Sequence, residues 1–192
     1  MTDPKLMSIV RQIAPAGPGP DAPLFAAGEM AKLTALPSAE ADLLELVRDA
    51  NCDPATRFIA AEGLVESSLT AWRNKAENRR DVADVLAKAM ADDQSHNRWG
   101  LPGSFLGPFG KRLLSLGAEA ESALVPLLSD GRLLNIEGSE AATLNSQFKF
   151  RVSDLAGWLI ASSFHLPWPP EGTSAERDAA IAELRSRMEN RK

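Results

Sequence analysis

The chain has 192 residues, 44% of them apolar and 24% charged, and it carries a formal net charge of −5. This acidic balance disfavours nucleic-acid binding, because nucleic-acid-binding proteins usually present a basic face. No run approaches the roughly 18 apolar residues of a membrane span, and the N-terminal residues lack the apolar stretch of a secretory signal. We therefore expect a cytoplasmic protein without membrane contact. The single cysteine, Cys52, excludes an internal disulfide and a cysteine-based zinc site within one chain.

Residues 1–37 are predicted to contain two short helices and an intervening loop. Apolar residues recur at helical spacing over residues 5–14 and again over 24–36. The stretch between them, PAGPGPDAP at 15–23, is so rich in proline and glycine that it cannot continue either helix. Ser38 follows as a suitable cap for the next helix.

The clearest pattern in the sequence is a pair of amphipathic helices at 39–49 and 54–67. The second helix has a favourable N-cap, Asp53, and a proline at its first position, Pro54. Apolar residues share one face in each helix. A turn of four or five residues joins the two helices, which predicts a helical hairpin.

The rest of the chain alternates amphipathic stretches with irregular ones. Further helices are predicted over 81–92, 111–116, 118–130, 151–164 and, after a proline-rich turn, 173–192. Pro126 should kink the helix that contains it. Two segments, 92–110 and 131–149, show no clear helical period.

Three of the apolar stripes recur at a nearly constant interval. Their first apolar residues are 39 and 38 residues apart: Leu43, Val82 and Ala120. The arginines that follow near the start of each second helix are 41 and 53 residues apart: Arg57, Arg98 and Arg151. An insertion of about a dozen residues within 131–149 explains the longer spacing, so the pattern indicates a repeat with a period near 40.

The hairpin LLELVRDANCDPATRFIAAEGLV at 43–65 resembles a HEAT repeat, with an Asp-Pro turn, an arginine and an alanine-rich second helix. ALVPLLSD at 123–130 is similar to a HEAT first helix, in which a proline often causes a kink. The resemblance is good over 39–67, fair over 118–163 and poor over 92–110.

The resemblance implies an all-α fold, a single domain over 1–192 built as a short α-solenoid. About three HEAT-like hairpins would span 38–164, with helices flanking them on both sides. In the family, the turn aspartate and the arginine commonly pair between neighbouring units. The resemblance therefore implies a structural role for five residues: Asp53, Arg57, Arg98, Arg151 and Asp154. Binding of an anion by these arginines is the alternative.

No residue pattern predicts a catalytic, metal or cofactor site. His96 with Asp92 or Asp93 is the only set of histidine and carboxylate at helical spacing, and two ligands are too few for a metal. Cys52 lies just before a helix N-terminus, which can lower a thiol pKa, but no base accompanies it. The glycine-rich stretch at 100–110 does not match a phosphate-binding loop.

Binding is predicted where the repeat is interrupted, because loops that depart from a regular scaffold often carry function. Within 92–110 and 131–149, we expect the contact residues to be Trp99, Glu137, Ser139, Glu140 and Asn145. Trp168, which lies between prolines, is a further candidate because tryptophan is enriched at binding hot spots. Bracing of the solenoid is the equal alternative for both segments.

These observations favour a non-enzymatic protein-interaction module. Its acidic charge suggests a basic protein partner, which it would serve as an adaptor or as an immunity-type protein that masks a toxin. The alternative is an enzyme or enzyme accessory similar to HEAT-like bilin lyases or repeat-type DNA glycosylases. Self-association through apolar end faces is a third hypothesis.

Overall fold

The computed structural model of the protein describes residues 4–13, 27–169 and 172–190. These ranges contain ten α-helices and two short strands, which confirms the predicted all-α class. The chain divides into two compact units, residues 1–89 and 90–192.

The first unit contains the predicted helical hairpin. Its elements are α1 Pro4–Ile13, α2 Ala27–Thr34, α3 Ala39–Arg48, α4 Pro54–Glu66, a 3₁₀ helix at Ala71–Asn74 and most of α5 Ala76–Asp92. Helices α3 and α4 pack along each other, and α1 packs on α4. Leu43, Val47 and Leu64 are fully buried, because the apolar stripes of α3 and α4 form part of the core of this unit.

Helix α4 begins as its sequence predicts. The Asp53 carboxylate accepts a hydrogen bond of 2.9 Å from the backbone N–H of Thr56, and Pro54 occupies the first turn. The Nε–H of Arg57 donates to the carbonyl of Val47 at 2.9 Å, so this arginine joins α4 to the end of α3.

The second unit is organised around α9. Its elements are a 3₁₀ helix at His96–Arg98, β1 Gly100–Leu101, β2 Phe105–Leu106, α6 Pro108–Leu114, α7 Ala118–Leu124, a 3₁₀ helix at Val125–Ser129, α8 Ser139–Phe148, α9 Val152–Ser163 and α10 Ser174–Glu189. Helix α9 is buried over most of its length and packs against α6, α7, the second 3₁₀ helix and α10. Strands β1 and β2 form an antiparallel hairpin in which Leu101 lies opposite Phe105.

A buried ion-pair cluster joins α10 to α9. The Asp154 carboxylate is completely buried and lies 2.8 Å from Arg151 and 3.2 Å from Arg177. Arg177 is also buried, donates to the carbonyls of Phe148 and Gly172, and stacks over the Phe150 ring. Helix α10 begins with a capping box between Thr173 and Glu176.

Three sequence predictions need correction. The predicted helix at 118–130 is α-helical only to Leu124 and continues as a 3₁₀ helix, because Pro126 has no N–H to donate to the α-helical ladder. Arg98 does not start a helix: it ends a three-residue 3₁₀ turn, and the Gly and Pro residues that follow it form a hairpin. Residues 131–149, for which no helix was predicted, contain α8.

The proline-rich loop predicted at 15–23 lies outside the described residues. Among the helices in the described ranges, none is long and apolar enough to cross a membrane.

Candidate functional site

The two segments without a clear helical period in the sequence, 92–110 and 131–149, meet in the second unit. The first follows the end of α5 and contains the short β hairpin. The second begins as an extended strand-like stretch, forms an isolated bridge at Leu133 opposite Arg151, and ends with α8. The sequence predicts both segments as candidate binding regions but gives no sign that they contact each other.

A set of five hydrogen bonds, which we call the clasp, joins residues 94–97 to residues 135–137. The backbone N–H of His96 donates to the carbonyl of Asn135 at 2.8 Å, and the N–H of Asn135 donates to Nδ1 of His96 at 3.0 Å. The Asn97 side chain bonds both main-chain groups of Glu137, each at 2.8 Å. The side chain of Asn135 donates to the carbonyl of Gln94. The clasp therefore holds residues 135–137 in place, although they are not part of a regular β-sheet.

An exposed charged group lies beside the clasp. Arg132 bonds Asp130 through two guanidinium nitrogens and reaches Asp92 at 3.0 Å. The hydrogen bonds from Arg132 lower the pKa of Asp130, while the two carboxylates raise the pKa of Arg132. Because both carboxylates share this one arginine, the group adds no positive charge to the surface.

The glycine-rich stretch at 100–110 is used for close packing. A Cβ atom on Gly107 would overlap the carbonyl of Arg98, and one on Gly110 would overlap the carbonyl of Trp99. These glycines therefore let the start of α6 pass directly against the preceding turn. This close packing explains why positions 107 and 110 are glycine, and the explanation requires no phosphate ligand.

Helix α8 lies on the surface of the second unit, and none of its residues is buried. Gly138, with a φ of 92°, precedes it, and Lys149 ends it in the left-handed conformation. Asn145 donates to the carbonyl of Leu134 at 3.0 Å, the Phe148 ring lies 5.7 Å from that of Phe150, and Arg177 donates to the carbonyl of Phe148.

The predicted contact residues have different surroundings. Trp99 is completely buried and donates its indole N–H to Asp93 at 2.7 Å, so the proposal of Trp99 as a surface contact is corrected to a core position. Glu137, Ser139 and Glu140 are exposed. Asn145 is partly buried by its bond to Leu134.

Sequence reasoning missed the exposed apolar residues of these segments. In the described part of the chain, the exposed large apolar side chains are Leu133, which is 60% exposed, and Phe105, which is 39% exposed. Leu133 lies in segment 131–149, and Phe105 lies in segment 92–110. The sequence offers only a weak signal for Leu133. It is adjacent to Leu134, and neighbouring side chains in an extended chain point to opposite sides. Leu134 is the buried one of the pair.

Trp168 lies away from the clasp, in the proline-rich turn before α10. Its ring is partly buried and packs on Gly157 of α9, where a Cβ atom would lie 2.7 Å from the ring. The same Cβ atom would lie 3.2 Å from Ile181 of α10.

The five residues with a predicted structural role make different contacts. Asp53 caps α4, Arg57 bonds a backbone carbonyl, and Arg151 lies 2.8 Å from Asp154 and 2.7 Å from Asp178. Arg98 is buried, with its guanidinium 4.7 Å from the centre of the Phe109 ring. The anion-binding alternative gains no support at Arg57 or Arg151, because both arginines already have partners within the protein.

Neither the cysteine nor the buried histidine forms a reactive site with its neighbours. Burial and the adjacent Asp49 raise the pKa of the Cys52 thiol, which opposes formation of a thiolate. Burial lowers the pKa of His96. In the described ranges, no group of three or more metal-binding side chains comes together.

Comparisons with models of known protein families, with curated proteins and with solved structures find no match to this chain.

Proposed function

We propose that this protein is a protein-binding module on a short HEAT-type solenoid and that it binds a basic partner through its two irregular segments. The helical hairpin of α3 and α4 and the packing of α7 with α9 support the repeat scaffold. The binding surface consists of residues 131–140 and the β1–β2 hairpin, which we call the interruption surface.

The observation that carries this proposal is the position of Leu133 and Phe105. Both are large apolar residues left exposed to water, and both lie where the repeat is interrupted rather than on its regular helices. An exposed leucine gains free energy when a partner covers it, by about 25 cal/mol for each Å² of apolar surface.

The charge of the interruption surface suggests the chemistry of the partner. Glu137 and Glu140 are exposed, and Arg132 is neutralised by its two aspartates. A partner with lysine or arginine around an apolar contact would complement this arrangement, and its affinity would fall as salt screens the charges.

Site-specific photocrosslinking tests the proposal. A photoreactive phenylalanine analogue is placed at position 133 in the cells from which the protein comes, and the same analogue is placed at Glu77, an exposed position on α5, as the matched control. We expect position 133 to capture one protein that position 77 does not capture. Equal capture at both positions, or capture at neither, would contradict the proposal, and crosslinking to a second copy of this chain would replace it by self-association.

The captured partner is then purified and its affinity measured. We expect the double variant Leu133→Ser, Glu137→Lys to bind about tenfold more weakly, which corresponds to 1.4 kcal/mol. The control variant, Glu77→Lys, changes charge by the same amount outside the interruption surface and should leave binding unchanged. Circular dichroism of each variant verifies that the helices are intact.

A further inference from the structure

The hydrogen bonds of the clasp determine which nitrogen of His96 carries a proton. The N–H of Asn135 can only donate, and it lies 3.0 Å from Nδ1 of the ring. Nδ1 must therefore accept this bond, and the proton of the neutral ring lies on Nε2. The carbonyl of Asn135 is farther from Nδ1, at 3.3 Å, and already accepts from the backbone N–H of His96.

A second proton on His96 would conflict with this arrangement. An imidazolium ring has two N–H donors and no acceptor, so Nδ1–H would face the N–H of Asn135. That backbone N–H would lose its acceptor. Loss of such a hydrogen bond costs about 0.5–1.5 kcal/mol. His96 is 3% exposed, so the charged ring would also lack water around it, whereas the exposed Asn135 can bond to water once the clasp opens.

The groups around the ring shift the pKa of His96 in both directions. Burial is the largest influence and disfavours the imidazolium, and Arg132 also disfavours it. Asp93 favours it, as do the carbonyls of Asn135 and Met90. A positive charge on His96 would also contribute to lowering the pKa of Asp130, so Asp130 favours the imidazolium as well. The net effect is a His96 pKa below the usual value, so the closed clasp contains the neutral ring.

We propose that the clasp is an acid-sensitive lock on the interruption surface, in which protonation of His96 releases residues 135–137 from residues 94–97. Release frees the main-chain groups of Asn135 and Glu137, which follow the exposed Leu133. The binding surface is therefore altered in mildly acidic conditions. The role in binding depends on the proposed function, whereas the opening of the clasp does not.

The direction of the pH dependence follows from linkage between protonation and opening. The open form has an ordinary histidine, with a pKa of about 6.5, and the closed form has a lower one. The closed form is therefore favoured above about pH 6.5 and loses stability as the pH falls below it. Between about pH 7.5 and 5.5, the equilibrium constant for opening should rise by up to about tenfold.

Amide hydrogen exchange, corrected for the intrinsic pH dependence of exchange, tests this opening. The amides of His96, Asn135 and Glu137 all donate within the clasp. We expect their protection factors to fall by up to about tenfold between about pH 7.5 and 5.5. The amide of Leu134 donates to Phe150 on the opposite edge of the same segment, so its protection should remain unchanged.

Two histidine variants test whether protonation of His96 causes the pH-dependent opening of the clasp. His96→Asn places an amide oxygen near the position of Nδ1, where it can accept from Asn135 but does not titrate. We expect this variant to keep the clasp closed at both pH values. His165 is the other histidine in the chain and is exposed, so His165→Asn should retain the full pH response with His96 as the sole histidine. This second variant keeps the test valid if His96→Asn does not fold.

Unchanged protection of the three clasp amides in the His165→Asn variant would overturn the lock. Equal loss of protection at Leu134 would also overturn it, because the whole segment would then unfold rather than the clasp alone. These results would leave the proposed function intact if position 133 still captured its partner. If the clasp opens at low pH but position 133 captures no partner, the lock is supported and the proposed function is rejected.

Discussion

The starts of α4 and α9 carry similar residues in the sequence but hold the fold together in different ways. At α4, the exposed Asp53 caps its own helix, and Arg57 bonds the neighbouring α3. At α9, Asp154 is completely buried between Arg151 and Arg177. The contacts at the start of α4 stay within one hairpin. The buried contacts at the start of α9 also hold the end of α8 and the start of α10.

From this difference we expect burial, more than residue type, to determine how strongly each of these carboxylates affects stability. A carboxylate at the surface exchanges water for a backbone N–H and contributes about 1 kcal/mol. A buried carboxylate that pairs with two arginines cannot be removed without leaving buried positive charge unpaired. Four predictions test this comparison between the two helices.

The largest effect is expected at the buried junction. Asp154→Ala should lower the free energy of unfolding by about 3–5 kcal/mol, because Arg177 would remain buried without its carboxylate. Urea denaturation monitored by circular dichroism measures the change. Asp178→Ala is the matched control: this carboxylate also pairs with Arg151 but is 56% exposed, so the loss should be below about 1 kcal/mol. Similar losses in the two variants would refute the role of burial.

The next effect concerns Gly157 of α9. Gly157→Ala should cost about 1–3 kcal/mol, because the added methyl group would press against the Trp168 ring. Thermal unfolding of Gly157→Ala, of Trp168→Leu and of the double variant measures this contact. The double variant should be less destabilised than the two separate losses predict. Strict additivity would indicate that Trp168 does not limit the space at Gly157.

A smaller effect is expected at the cap of α4. Asp53→Ala should lower stability by about 1 kcal/mol, and Asp53→Ser should recover most of the loss because serine also caps helices. Hydrogen bonds from Thr56 lower the pKa of Asp53, so its contribution is present above about pH 4 and is lost as the pH falls further. If the difference in the free energy of unfolding between wild type and Asp53→Ala stays constant down to low pH, the cap does not depend on the charge of Asp53.

The smallest effect concerns the turn before α4. Burial and the hydrogen bond to Asp49 raise the pKa of Cys52, so the native thiol should react with iodoacetamide more slowly than the same thiol in the denatured chain. Asp49→Asn removes the nearby negative charge and should speed alkylation at about pH 8. Mass spectrometry of timed samples measures both rates. If the native wild type is alkylated faster than the denatured chain, the helix N-terminus lowers the pKa of this thiol more than burial and Asp49 raise it.

Local sequence patterns were sufficient for the regular parts of the fold. The hairpin of α3 and α4, the cap at Asp53 and the capping box at Thr173 all depend on residues that are close together in the chain. Apolar spacing and capping residues determine such features, because the interactions involved extend over three or four positions.

The candidate site could not be predicted in the same way. The clasp joins His96 to Asn135 and Asn97 to Glu137, which are 39 and 40 residues apart in the chain. Asparagine at these positions carries no local signal. Trp99 looked like a surface anchor because its segment is irregular, yet it is buried. Helix α8 was missed because its residues are only partly buried and its apolar stripe is correspondingly short.

The sequence by itself determined the all-α class, the helical hairpin and the two places where the regular pattern stops. Only the tertiary structure decided that those two segments contact each other, that Leu133 is exposed while Leu134 is buried, and that Asp154 is buried while Asp53 is not. The physical reason is that helix formation is a local process, whereas burial and hydrogen bonding between distant segments depend on the packing of the whole chain.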